Sequence, residues 1–187
     1  RKLGIEDDIT LAEYRKVVSE LGGSGIQLVE TTGLVNELRA VKDVRELARM
    51  KAAQKITDDA FSHIVEFIKP GMTAYETIRR ANETVEATIK AGVIGRDMHE
   101  LAERILVEGG FGGKMGHGLG HGLGVDVHEL PYLNATYDKP LEVGNVVTVE
   151  PGIYIAGKFG MRLEDFGVVA SEGYERFTQS THEMVII

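Results

Sequence analysis

The chain contains no cysteine. Disulfides, thiolate zinc fingers and cysteine-nucleophile chemistry are all excluded on that ground. Positive charge is also scarce: 21 Lys and Arg stand against 29 Asp and Glu, for a net charge of −8 and a pI near 5.3. A general nucleic-acid binder needs a basic face to meet phosphates, so nucleic acid is not an expected partner. No uninterrupted apolar stretch is long enough to cross a bilayer, and no membrane partner is expected either. The sequence opens Arg1-Lys2-Leu3-Gly4, with neither an initiator Met nor a signal-peptide pattern. We therefore expect a cytoplasmic protein whose natural start lies elsewhere. The remaining make-up, 43% hydrophobic and 27% charged over 187 residues, is that of one globular domain, or one plus a fragment of another. Glycine is the excess, with 23 residues, and its placement marks the informative segment.

The first forty residues read as a short α/β unit. Leu3-Gly4-Ile5 is a strand end. Residues 10–21 carry Leu11, Tyr14, Val17, Val18 and Leu21 at helical spacing, stopped by Gly22-Gly23, and residues 26–29 form a short strand. One βαβ-like piece cannot bury a core of its own, so this segment is expected to be the tail of a domain whose beginning is absent.

Residues 41–68 have a helical pattern ending at Pro70-Gly71. Thr73 can cap the next helix, with Glu76 completing a capping box. Further helices run through Val85, Thr88 and Ile89, and then through Met98, Leu101, Ile105 and Leu106 up to Gly109-Gly110. Beyond these, residues 143–155, 161–169 and 183–187 are β-like. Helices first and strands later predict an α+β fold. Ile68-Lys69-Pro70-Gly71-Met72 with Glu76 also resembles Ile89-Lys90-Ala91-Gly92-Val93 with Asp97, at an offset of 21 residues. This is either repetitive helix-stop grammar or the trace of two related halves, of which only the second is followed by strands.

Residues 116–124 alternate glycine with His117, Leu119, His121 and Leu123. Five glycines exclude a helix, each costing about 1 kcal/mol relative to Ala. In an extended chain the two histidines share a face, and the bare opposite face lets another strand or a ligand approach closely. His128 lies seven residues after His121, so it joins that face only through a bend or bulge. Neither a Rossmann nor a P-loop spacing is present. Further on, the β-branched run 146–149 ends on Glu150 and is stopped by Pro151, and Arg162 and Glu164 are placed on one strand face. A histidine and two glutamates from separate strands suit Mn, Co, Fe or Zn, but Arg162 and Glu164 alone equally suit a cross-strand salt bridge.

Gly116-His117-Gly118-Leu119-Gly120-His121, His128-Glu129-Leu130-Pro131, Val149-Glu150-Pro151-Gly152-Ile153-Tyr154 and Arg162-Leu163-Glu164-Asp165 together closely resemble the pita-bread metallopeptidases. Within them the chain looks most like the Xaa-Pro dipeptidases (prolidases) and Xaa-Pro aminopeptidases. Residues 1–39 look like the end of a creatinase-type N-terminal domain. Residues 40–187 look like the pita-bread catalytic domain, opened by Phe67-Ile68-Lys69-Pro70-Gly71-Met72-Thr73. The resemblance implies that His121, Glu150 and Glu164 are metal ligands, with Glu150 also handling the proton of the attacking water and Glu164 bridging two ions. It implies that His117 and His128 bind substrate and stabilise the tetrahedral intermediate, with Arg162 beside the bridging glutamate. The implied reaction is hydrolysis of an N-terminal residue–proline bond in a small peptide, assisted by two divalent ions (Mn, Co or Zn), in a homodimer.

One part of the pattern is missing. The family's two aspartate ligands lie in an Asp-…-Gly-Tyr-…-Asp-…-Thr-Arg-Thr segment on strands of the first half, and no such segment occurs here. The expected fold is thus α+β and pita-bread with its first-half strands absent, holding at most one ion and impaired in activity. We expect a junction within residues 75–82, seen as a chain break near Arg80-Ala81. The alternatives are a non-catalytic pita-bread binding protein, or another hydrolase of this fold such as a creatinase or a methionine aminopeptidase. The latter normally lacks the domain that residues 1–39 resemble.

Overall fold

The computed structural model describes residues 1–65 and 74–183. The chain divides into two compact units, Arg1–Arg39 and Ala40–Ile187.

In the first unit, β1 (Lys2–Glu6) and β2 (Gln27–Thr31) pair in parallel, with Lys2 opposite Gln27 and Glu6 opposite Thr31. They are joined through α1 (Leu11–Glu20), as expected for a βαβ piece. Thr10 and Glu13 form a reciprocal capping box at its N-terminus, satisfying two otherwise orphaned N–H groups. No residue of α1 is buried, in keeping with a segment that has no core of its own. A further helix, α2 (Leu34–Ala40), was not expected and ends at the border of the units.

Among its described residues the second unit has three helices, a five-stranded sheet and a separate hairpin. Helix α3 spans Val44–Val65, α4 Tyr75–Thr88 and α5 Gly95–Glu108. The strands are β3 (Gly120–Gly122), β4 (Glu129–Leu133), β5 (Val146–Val149), β6 (Gly152–Ile155), β7 (Phe159–Arg162), β8 (Asp165–Val169) and β9 (Tyr174–Arg176). Five form an antiparallel sheet in the order β4-β3-β5-β8-β9, while β6 and β7 make a separate hairpin. Ile78, Ala81 and Val85 of α4 and Met98, Ala102, Ile105 and Leu106 of α5 are buried at helical spacing. They form one core with Leu119, Leu133, Val147, Val149 and Ile153 from the strand region. Leu47 and Met50 of α3 pack instead on a smaller cluster of Val146, Val168 and Phe177. Strand β5 is thus buried throughout, which is why it reads as an unbroken β-branched run.

Several expectations are corrected. The expected break near Arg80-Ala81 is absent: α4 runs continuously from Tyr75 to Thr88. Ile78, Ala81, Asn82 and Val85 keep one helical phase, so one buried face runs through residues 75–82. The strand expected over 143–155 is two strands, because Pro151 donates no ladder hydrogen bond and divides β5 from β6. Likewise Arg162 ends β7 and Glu164 lies in the corner before β8, rather than sharing one strand. Strand β9 was not foreseen. The helix stop at Pro70-Gly71, the Thr73 cap and the strand expected over 183–187, save for residue 183 itself, lie outside the described residues. Ala74 occupies the N-cap position of α4 with no side-chain cap, and Glu76 pairs with Arg79 at 3.1 Å.

Candidate metal centre and active site

Glu150 follows β5 and is held as a buried side chain by its neighbours. Its N–H donates to the carbonyl of Leu119 at 2.8 Å, which ties it to the glycine-rich segment. Thr148, two residues earlier, accepts from the N–H of His121 at 3.0 Å and donates to Glu150 Oε1 at 3.1 Å. The glycines make this approach possible. A Cβ at residue 120 would collide with the Thr148 backbone, and one at residue 122 with the Leu130 backbone.

His121 sits in β3 with Nε2 3.1 Å from Glu150 Oε1 and Nδ1 3.0 Å from the carbonyl oxygen of Gly122. Both ring nitrogens face acceptors, whereas a neutral imidazole has one N–H to give, so the setting favours the doubly protonated ring. Burial opposes that charge. The Glu150 hydrogen bond, the Gly122 carbonyl and the charges of Glu150 and Glu164 outweigh it, raising His121 above its ordinary value. For Glu150 the balance runs the other way. Burial favours its neutral form, but His121, Thr148 and Arg162 together hold the carboxyl below the usual range. Glu164 is raised, by burial first and then by the charge of Glu150, with Arg162 and His121 only partly offsetting this.

Arg162 joins the two carboxylates. Its Nη1 lies 3.1 Å from Glu150 Oε2 and its Nη2 2.8 Å from Glu164 Oε2. Nearby, His117 Nδ1 is 2.7 Å from the Gly118 carbonyl, and its Nε2 is 3.3 Å from the Tyr154 hydroxyl. Tyr154 also interacts with the Arg162 guanidinium. Its ring lies across the β6–β7 hairpin, where a Cβ at residue 152 or 160 would come within 2.7 or 2.8 Å of it.

His128 reaches His121 as the seven-residue spacing required. The β3–β4 register shifts at His121/Gly122, and the two rings lie 4.2 Å apart. The turn between them is pinned by Glu129, which pairs with the buried Lys42 at 2.6 Å and accepts from the Asp126 N–H at 3.2 Å. The expected strand through His117, Leu119, His121 and Leu123 is much shorter, only Gly120–Gly122, because ladder partners exist only there.

The structure therefore brings His121, Glu150, Arg162 and Glu164 into one connected cluster, joins His128 to it by ring contact, and links His117 to it through Tyr154. Among the described residues no group of three or more His, Asp or Glu side chains is placed to hold an ion. Two members of the site were not assigned from sequence. Thr148 was detectable, since a polar residue two positions before Glu150 shares its strand face. Tyr154 stood in a recognised segment, but its contact with His117 depends on the hairpin's fold.

The strand order, helix packing and site define a pita-bread domain of the creatinase and aminopeptidase type. Metallopeptidase family M24 matches residues 73–171, more than half of the chain, and the chain belongs to that family. It is 27% identical to an uncharacterised peptidase, YqhT, of Bacillus subtilis, over an alignment of 271 residues covering 100% of this chain and 75% of that one. It is 36% identical to an Xaa-Pro dipeptidase of Lactobacillus delbrueckii over 113 residues, 60% of this chain and 31% of the relative. The chain thus spans about a third of the length of that dipeptidase. The solved structure of an Xaa-Pro dipeptidase from Bacillus anthracis superposes with a TM-score of 0.90 at 28% identity, covering 100% of this chain and 75% of that one. No helix among the described residues is long and apolar enough to cross a membrane.

Proposed function

We propose that this chain belongs to a metal-dependent exopeptidase that cleaves the bond between an N-terminal residue and proline, as an Xaa-Pro dipeptidase or aminopeptidase. We further propose that the chain as it stands is impaired in that reaction. The observation that carries the reading is the joining of His121, Glu150, Arg162 and Glu164 in an M24 domain. The names of the Lactobacillus and Bacillus anthracis relatives support the substrate class.

In this reading Glu150 accepts the proton of the attacking water, a task suited to a carboxyl that stays ionised. His117 and His128 present ring N–H groups to the substrate carbonyl and to the oxyanion that develops on it. Arg162 orients the two glutamates. His121, Glu150 and Glu164 are the chain's metal-ligand positions, for Mn, Co or Zn. A divalent ion there would supply Lewis-acid assistance and a lowered water pKa.

The donor set present does not fit such an ion. The three donors are not gathered for one, and both oxygens of Glu150 are engaged. We attribute the shortfall to the absent aspartate segment. The alignment with the Bacillus subtilis relative supports this, since it extends over 271 residues where this chain has 187. The proposed substrate is a small peptide with proline second, and the proposed setting is a cytoplasmic homodimer. The unfilled donor set favours one other reading, a non-catalytic pita-bread protein that binds a partner.

The test is cleavage of Xaa-Pro dipeptides with and without Mn²⁺. The 187-residue chain, its mass verified, should show trace hydrolysis at most, while a version carrying a relative's aspartate segment should show metal-dependent hydrolysis. Family-level activity from the short chain would overturn the impairment. A completed domain that folds, yet cleaves no peptide with any metal, would favour the binding protein.

A further inference from the structure

We infer that Lys42 is a positioning residue for His128, acting through the carboxylate of Glu129 and the turn that this carboxylate closes. It rests on the proposed function only for the use made of His128.

Three observations carry it. First, the ammonium comes from a fixed platform. The Lys42 N–H donates to the Gly144 carbonyl at 3.0 Å, Val41 bridges to Asn145, and the Asn145 side-chain amide donates to the Ala40 carbonyl at 3.1 Å. Residues 40–42 are thereby tied to the chain entering β5. From there Lys42 Nζ reaches to 2.6 Å from Glu129 Oε1, with both side chains buried. Second, the turn has no apolar anchor of its own: residues 124–128 are all exposed, Val125 at 86% and Val127 at 66%. Third, the turn is wrapped on the Glu129 carboxylate instead. The Asp126 N–H donates to Glu129 Oε2 at 3.2 Å, and the Gly124 N–H donates to the Asp126 carbonyl at 3.1 Å. A Cβ at residue 124 would lie 2.2 Å from Glu129 Oε1, so glycine is needed there for the carboxylate to sit so close. A buried carboxylate keeps its place only while charge or hydrogen bonds compensate it. Lys42 supplies charge, the Glu129 oxygens hold the turn, and His128, next in the chain to Glu129, is carried to within 4.2 Å of the His121 ring. An exposed histidine that presents its N–H to a developing oxyanion needs such a fixed backbone, since a misplacement of about 1 Å can cost about a hundredfold in rate.

The test is NMR of the full chain at one fixed pH, with labelled histidine rings and backbone amides. The wild type should show a ring-to-ring Overhauser contact between His121 and His128 and a protected Asp126 amide. Lys42→Met leaves Glu129 without that ammonium. It should lose the ring contact and speed exchange of the Asp126 amide by about tenfold or more, while His117 keeps its contact with Tyr154. Gly124→Ala leaves Lys42 untouched but drives the carboxylate off the turn, and it should produce the same two changes. A folded Lys42→Met with both signals as in the wild type would overturn the inference, because the pair would then stabilise the domain without placing His128. Loss of the His117–Tyr154 contact as well would overturn it as a general loosening. Wild-type signals in Gly124→Ala would break it at the link from Glu129 to the turn. If Lys42→Met does not fold, Lys42→Gln, which keeps a neutral donor, is read in the same way; failure of both to fold would overturn the inference, the pair then holding the domain rather than the turn. None of these readouts depends on peptide cleavage. The two expected changes, found in a chain whose aspartate-completed version cleaves no peptide, would support the placement of His128 and count only against the proposed function.

Discussion

Glu164 and Asp165 are neighbours in sequence, yet they belong to two clusters of the same make-up and opposite character. The Glu164 cluster holds Glu150, Glu164, Arg162 and His121, and the Asp165 cluster holds Glu86, Asp165, Arg176 and His182. Each has two carboxylates, one arginine and one histidine. In the first, the guanidinium bridges both acids at 2.8 and 3.1 Å. In the second, Arg176 reaches only Glu86, at 3.6 Å, while lying 3.1 and 3.3 Å from the ring nitrogens of His182. Asp165, 1% exposed, has His182 Nε2 at 2.9 Å in a contact that is not aligned as a hydrogen bond, and Glu86 Oε1 is buried without a hydrogen-bond partner. The consequence is a split in protonation. Glu150 is held below the usual carboxylate range, while burial, reinforced by the charge of Asp165, pushes Glu86 up to about 7. Equal composition does not give equal electrostatics. The geometry of the guanidinium and the depth of the acids decide the outcome.

The sharpest way to break this comparison is to remove the weaker arginine. Arg176→Met would leave Glu86 and Asp165 buried together without the guanidinium. Stripping one partner from a buried ion pair costs about 3–5 kcal/mol. Arg176 is partly exposed, so a loss of about 2–3 kcal/mol is expected. Urea unfolding should show a lower midpoint with an unchanged slope. A loss no larger than that of a surface substitution would mean that Arg176 does not compensate the two acids.

The next test uses pH. Glu86 has a folded value near 7, above that of an unfolded carboxyl. Between these values the folded chain binds more protons than the unfolded one, so stability falls as pH rises from about 4.5 to about 7 and then levels. Glu86→Gln cannot ionise. It should match the wild type near pH 5 and exceed it by about 1–3 kcal/mol near pH 8. Parallel stability curves for the two proteins across that range would show that Glu86 ionises like an exposed acid.

These two clusters also show how much was legible in the sequence. The helical phases of α4 and α5 and the β-branched run of β5 follow from spacing, because burial of one face imposes a period that local residues carry. The site residues were reached through a resemblance borne by contiguous motifs, and the bend bringing His128 to His121 follows from an odd spacing that a register shift must absorb. The Asp165 cluster was not legible. Glu86 comes from α4 and meets Asp165 and Arg176 of distant strands, pairings that only the tertiary fold creates. The extent of β3 was likewise hidden, because the lengths and register of β4 and β5 limit it to three residues. The bridging of two glutamates by Arg162 depends on the corner between β7 and β8, where strand alternation no longer predicts direction.

The smallest expected effect sharpens the comparison from the side of the Glu164 cluster. His121 titrates above its ordinary value because its contacts with Glu150, the Gly122 carbonyl and the more distant Glu164 outweigh its burial. A histidine with a raised folded value binds its proton more tightly in the folded chain. Its contribution is fully present below the unfolded value, near 6.5, and is lost as pH rises through the folded value. That loss adds to the one from Glu86, since both run downward with rising pH, but it lies further to the alkaline side. In the Glu86→Gln background the downward contributions left are those of His121 and of Glu164, whose carboxyl is also raised. There, stability should still fall by up to about 1 kcal/mol between about pH 6 and pH 8, a modest size because burial of the ring opposes the same charge. Adding His121→Asn should flatten that residual slope. A slope that persists in the double variant would place the titrating group on Glu164 or outside both clusters, whereas no slope in Glu86→Gln alone would mean that Glu150 does not hold the proton on His121.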